Sequence, residues 1–142
     1  MKPVVDHLQL TVADMAEAVP FYDRLMPLLG FDPARRSEAT LEAHEMHVVE
    51  YIADGICVAI SSPRSAFADE SVHRRKPGAL HHLAFRAASR AEVDDFHAAL
   101  VAIGADIVEP PRVYPQHGEH YYAVFFKDPG GVKLEVMCEA PA

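Results

Sequence analysis

Two histidines and one glutamate, His7, His82 and Glu135, have the residue types to hold a cation and sit in short apolar runs where such side chains are unusual. His7 opens HLQLTV, His82 opens HLAFRA and Glu135 lies in VKLEVM. Each run reads as a strand, and along a strand the side chains alternate between faces. In the first, Leu8, Leu10 and Val12 form a packing face and leave His7, Gln9 and Thr11 on the other. In the second, Leu83, Phe85 and Ala87 pack, while His82, Ala84 and Arg86 look away. His81 shares the parity of the packing face, so His82 is the chemical candidate of the pair. In the last, Val132, Leu134 and Val136 pack, and Lys133, Glu135 and Met137 point opposite. A carboxylate in the middle of an apolar strand is costly unless paired or metal-bound. Two imidazoles and one carboxylate make a divalent-metal site with open positions, suited to Fe(II) and tolerated by Mn(II), Ni, Co or Zn.

What places these residues together is an internal repeat. A shift of 75 positions superimposes His7 on His82, Asp14 on Ser89, Glu17 on Glu92, Phe21 on Phe96 and Leu25 on Leu100. A one-residue slip brings Gly30 onto Gly104, and a shift of 76 carries Gly55 onto Gly131 and Ala59 onto Glu135. The repeat therefore duplicates the histidine but not the carboxylate. A lone histidine on a strand reads as structural, and it is the equivalence of the two copies that makes a shared site the better reading.

Each copy runs strand, helix and three strands. The strands are expected at 3–12, 35–41, 45–52 and 56–61 in the first copy, and at 79–87, 106–113, 120–127 and 132–138 in the second. Asp14 with Glu17 and Ser89 with Glu92 have the spacing of helix-starting capping boxes. In the second helix Val93, Phe96, Leu100 and Ile103 mark one buried face. In the first, Pro20 and Pro27 interrupt the stripe of Val19, Tyr22, Leu25 or Met26, and Leu29, and should kink or shorten it. DG at 54 and DPGG at 128 supply hairpin turns. The expected architecture is α+β: one domain over 1–142, with module one at 1–61, a linker at 62–78 and module two at 79–142. Neither module of about 60 residues would comfortably close a core alone.

The chain has 142 residues, half of them hydrophobic, and a formal net charge of −8, which argues against a nucleic-acid partner. One basic run, His73-Arg74-Arg75-Lys76, stands out; it reads as a solvated loop or as a guide for an anionic substrate. Cys57 and Cys138 form neither a metal spacing nor a disulfide framework, and a reduced state is expected. No signal-peptide core or apolar run of about 18 residues is present, so the expected location is the cytoplasm, with no membrane partner. His44, His73, His97, His117 and His120 read as surface or loop residues, while His47 lies in a strand from which it could reach a pocket.

These features resemble the vicinal oxygen chelate superfamily, which takes in glyoxalase I, extradiol dioxygenases, and the fosfomycin- and bleomycin-resistance proteins. The resemblance rests on DHLQLTV followed by FYDRLMPLLGF, on HHLAFRA, and on YYAVFFKDPGGVKLEVM, and it covers nearly the whole chain. It implies paired βαβββ modules forming a curved open sheet around one metal cavity, with metal roles on His7, His82 and Glu135, and members often form a homodimer. Fe(II) or Mn(II) is the favoured ion, and the substrate is a small molecule chelated through two neighbouring oxygens. A glyoxalase resemblance calls for a fourth ligand where this chain has Ala59, and an extradiol dioxygenase resemblance for a tyrosine where it has Phe125. With three ligands, dioxygenase chemistry stands slightly ahead of isomerase or lyase chemistry. His47 and Tyr121 are the candidate catalytic groups. The competing class is a bleomycin-resistance-type protein that sequesters a ligand without turnover.

Overall fold

The computed structural model describes residues 3–141. The chain divides into two compact units, Met1–Val72 and His73–Ala142, and the boundary falls inside the stretch 62–78 expected to be a linker. Both units have the order strand, helix, three strands, interrupted in the first by single 3-10 turns.

Unit one contains β1 (His7–Thr11), α1 (Met15–Leu28), β2 (Ser37–Leu41), β3 (Met46–Ala53) and β4 (Ile56–Ser61), in the sheet order β1-β4-β3-β2. Unit two contains β5 (Leu83–Arg86), α2 (Arg90–Ala102), β6 (Asp106–Val113), β7 (Tyr122–Lys127) and β8 (Lys133–Cys138), in the order β5-β8-β7-β6. In each sheet the first strand runs parallel to the last, and the other pairs are antiparallel. The registers reproduce the repeat. Gln9 lies opposite Ala59 in unit one, and Ala84 lies opposite Glu135 in unit two. The carboxylate thus occurs in one copy of a shared scaffold, at a position the other copy fills with a methyl group.

Both helices start and stop as their sequences require. Asp14 accepts a hydrogen bond from the Ala16 N–H, and Ser89 accepts one from Glu92, whose own carboxylate accepts from Ala88. At the other end Phe31 N–H donates to Met26 C=O and Ala105 N–H to Leu100 C=O. Gly30 (φ 86°) and Gly104 (φ 75°) take the left-handed conformation that this ending needs.

The expected disruption of α1 is only partly realised. The helix passes through Pro20 and ends one residue after Pro27. Both prolines lie on its exposed side, so the carbonyls they leave unbonded at Ala16 and Asp23 belong to residues that are themselves exposed. The buried side is Ala18, Phe21, Tyr22, Leu25 and Met26.

Strands β1 and β5 are shorter than the expected 3–12 and 79–87. Each ends where its partner runs out: Leu83 pairs with Leu134 near the start of β8, and His7 with Cys57 near the start of β4. His82 therefore stands at the mouth of β5 rather than inside it. The β7–β8 hairpin closes on Asp128, whose carboxylate accepts the Val132 N–H at 2.8 Å. Gly131 (φ 96°) supplies the turn.

Tyr51 of β3 joins the sheet of unit one to α1. It stacks on Tyr22 and donates to Asp23 Oδ1 at 2.9 Å, which also accepts from Arg36 Nε at 2.7 Å. In unit two α2 buries Val93, Phe96 and Leu100, with the Phe96 ring 6.0 Å from that of Phe126. Cys57 and Cys138 are free thiols, and burial raises the pKa of the first. Among the described residues no helix is long and apolar enough to cross a membrane.

Two outcomes follow for stability. Leu100 is fully buried, and Leu100→Ala is expected to cost about 2–5 kcal/mol in urea denaturation. Burial, followed by the bond to Asp23, raises the Tyr51 phenol above its ordinary value of 10.0. The folded state keeps that proton where the unfolded chain releases it, so the stabilisation is complete below pH 10 and declines as pH rises further. Tyr51→Phe should flatten this alkaline loss in urea midpoints measured across the range.

Candidate metal centre

Glu135 is the buried charge on which the site turns. It lies in β8, is 1% exposed, and stands on the face carried by Phe125, Ala123 and Met137. Its partners come from two other segments of unit two. Tyr121, just before β7, donates its hydroxyl to Oε1 at 2.6 Å, and His82 places Nε2 3.1 Å from Oε2. Oε1 thus has a hydrogen-bond donor and Oε2 an imidazole at ion-pair distance, partners of the kind a carboxylate in an apolar sheet requires. Burial first, and then Glu135, push the Tyr121 phenol well above its ordinary pKa, so it acts as a donor.

The His82 ring is held at both ends. Its Nδ1 lies 2.7 Å from Nδ1 of His81. If Nε2–H donates to the carboxylate, Nδ1 of His82 accepts and His81 supplies the proton. The parity expectation for His81 does not hold: its side chain is exposed rather than packed under α2. β5 begins only at Leu83, so strand alternation does not reach residue 81.

An aromatic wall borders the pair. The Phe125 ring is 6.3 Å from that of His82 and 5.2 Å from Tyr114, and the ammonium of Lys133 sits 4.0 Å from its centroid. Tyr114, buried at 2% exposure, donates to Glu109, which also accepts two bonds from Arg112. Strand parity does not find Tyr114, because the register of β6 shifts around Pro110 and Pro111 and counting fails across it. His117 packs its ring between Tyr114 and Tyr121.

In unit one His7 is exposed at the start of β1, with Nδ1 2.9 Å from Asp6 Oδ2. It shares its face with Gln9 and Thr11, which continue into a cavity of about 470 Å³ also lined by His44, Met46, Ser61 and Arg64. Glu45 borders this cavity in a left-handed backbone conformation (φ 51°) and is anchored by Ser65 Oγ at 2.7 Å.

His47 lies apart from that face. It shares β3 parity with Val49 and Tyr51, which pack on the α1 side. Its Nε2 is 2.9 Å from Glu38 Oε1, off the direction of a hydrogen bond. Arg86 pairs with Glu139 at 2.9 Å at the exposed end of β5. Among the described residues no group of three or more His, Cys, Asp or Glu side chains is assembled to hold one ion, and what unit two brings together is a pair. An imidazole nitrogen beside a water-shielded carboxylate oxygen is nonetheless a donor set that suits a first-row divalent cation.

The pairing has a measurable consequence. Tyr121→Phe leaves a buried carboxylate oxygen without its donor and is expected to destabilise unit two by about 1–3 kcal/mol. Adding Glu135→Leu should recover most of that loss in urea titrations, because the charge needing the donor is gone.

Residues 4–136 match the family described as the Glyoxalase/Bleomycin resistance protein/Dioxygenase superfamily. The chain is 27% identical over 131 residues to the uncharacterized protein YqjT of Bacillus subtilis (strain 168), covering 92% of this chain and 95% of that one. Its fold is similar to that of a provisionally assigned glyoxalase from Bacillus halodurans, at 26% identity, 96% of each chain and a TM-score of 0.76. A fold likeness also extends to the fosfomycin resistance protein FosX from Listeria monocytogenes, at 19% identity, 97% of this chain, 94% of that chain and a TM-score of 0.64. With two strand-helix-strand-strand-strand units and a match over nearly its whole length, the chain belongs to the Glyoxalase/Bleomycin resistance protein/Dioxygenase superfamily.

Proposed function

We propose that this protein is a divalent-metal-dependent enzyme that binds a small substrate through two neighbouring oxygens, with His7, His82 and Glu135 as the metal ligands. The observation that carries the reading is the Glu135 carboxylate, 1% exposed and 3.1 Å from His82 Nε2. A carboxyl side chain at that depth in a sheet is better explained by ligation than by packing, since Ala59 fills the equivalent position of unit one. His7 is assigned because it occupies in the first repeat the place of His82 in the second.

A bound divalent cation would polarise the substrate oxygens and stabilise negative charge developing on them. Tyr121 fixes one oxygen of Glu135 and so orients the other toward the ligand position. Phe125 and Tyr114 form an apolar wall that limits water beside the pair. With Ala59 in place of a fourth ligand, positions stay open for substrate and dioxygen, and dioxygenase chemistry is the first reading.

One observation favours glyoxalase-like isomerase or lyase chemistry as a second. Glu50 of β3 lies directly opposite Ala59, hence on the same face, and its carboxylate accepts from Ser37 Oγ at 2.7 Å. It could act as the proton acceptor that isomerisation requires.

Protein incubated anaerobically with Fe(II), Mn(II), Ni(II) or Zn(II) and then desalted should retain about one equivalent of metal, as expected for a single site. His7→Ala, His82→Ala and Glu135→Ala should each abolish that retention, and Tyr121→Phe should weaken affinity about 10–100-fold. Oxygen uptake by the Fe(II) form with a panel of catechols supports the dioxygenase, and bound Fe(II) without uptake supports the isomerase or lyase. Retention of no metal by the wild-type protein supports a ligand-sequestering protein and overturns the proposal.

A further inference from the structure

The face of unit two that carries Glu135 holds a cation with no ionic partner. Glu109 is engaged by Arg112 and Tyr114, Glu135 by Tyr121 and His82, and Glu139, just past β8, by Arg86. Lys133 shares the face, two residues before Glu135 on β8. Its ammonium rests 4.0 Å from the centre of the Phe125 ring, the same ring that edges His82. Among the described residues no carboxylate forms an ion pair with it within 4.0 Å, although the charges of Glu109, Glu135, Lys127 and Arg74 all act on it.

A second positive group acts on Lys133 electrostatically. The charge of Arg74 acts on both Lys133 and His81, and that of Arg75 also acts on His81. The basic run His73-Arg74-Arg75-Lys76 belongs to unit two. In a chain of net charge −8, this basic run stands out against the average. A half-buried ammonium stacked on an aromatic face has its stem fixed and its donors free, which is the arrangement that receives an oxyanion rather than one that merely solubilises a surface.

The geometry points to an anion subsite formed by Lys133 over Phe125, so that the substrate carries a carboxylate or a phosphoryl-type group close to its chelating oxygens. This inference deepens the proposed function, since it describes the substrate of the same site, but its test needs no metal. A failure of metal binding and a failure of the anion subsite are therefore separately visible.

The experiment titrates 15N-labelled protein in EDTA with inorganic phosphate and, separately, with acetate, following backbone amide shifts. One or both anions should move the signals of residues 82 and 133–135. Stronger binding of phosphate assigns a phosphoryl-type group, and stronger binding of acetate a carboxylate. Lys133→Met, which keeps the stem over Phe125, should weaken binding about tenfold or more, as expected for loss of a charge-assisted bond. Lys133→Arg should retain it, Arg74→Gln should weaken it by a smaller factor, and Arg24→Gln, which removes the same charge from the exposed side of α1, should leave it unchanged. Amide signals that stay still with both anions overturn the inference. Equal weakening by Lys133→Met and Arg24→Gln overturns it too, because the effect would then be one of net charge.

Discussion

A carboxylate shielded from water in the middle of β8 imposes more on this chain than any other single group. An ionised carboxyl without partners at such a depth would cost several kcal/mol, a large fraction of the stability of a domain this size. Three separate segments of unit two answer that demand: the entry to β5 brings His82, the entry to β7 brings Tyr121, and the β8 register fixes the distance to both. The parallel β5–β8 pairing is what carries His82 to the correct height, since Leu83 must lie against Leu134. The local fold and the candidate chemistry thus depend on the same contacts.

The two units show how a scaffold can be repeated while its polar groups diverge. Helix caps, left-handed glycines and strand registers recur in both, because each solves a backbone problem that is the same in either copy. Apart from His7 and His82, the side chains facing away from the helices do not recur. Unit one has Gln9, Ala59 and Glu50 where unit two has Ala84, Glu135 and Phe125, so the first surface is polar and open and the second aromatic and water-poor. A buried acid is tolerable only on the second, where aromatic rings exclude solvent and a tyrosine hydroxyl is near enough to donate.

Much of this was legible in the amino-acid order, and the gaps have physical causes. Alternation along β8 placed Glu135 on one face and Leu134 and Val136 on the other, because the pleat leaves no choice within a paired segment; His82, one residue before β5, reaches Glu135 from outside the ladder. It failed where pairing stops: His81 lies outside β5, and its ring is free to leave the packing face. It failed again at Tyr114, beyond a register shift created by two prolines that cannot donate to the ladder. His47 was open to the same parity argument, since Val49 and Tyr51 mark its face as the one under α1. The passage of α1 through Pro20 reflects tertiary support: the buried side of the helix, with five residues packed, outweighs one missing hydrogen bond on the exposed side. The ammonium over Phe125 was not readable, because a side chain's route across a neighbouring strand is set by the space left between larger residues.

The prolines of β6 have an effect beyond misaligning a count. Pro110 and Pro111 occupy the outermost strand of their sheet and have no N–H to present, so that margin offers an interrupted template to any extended peptide that approaches it. The corresponding margin of the other sheet, Ser37–Leu41, contains no proline and is exposed along its whole length. Of these two outer rims, only the one in the first half retains an unbroken row of backbone donors and acceptors by which the sheet could be lengthened.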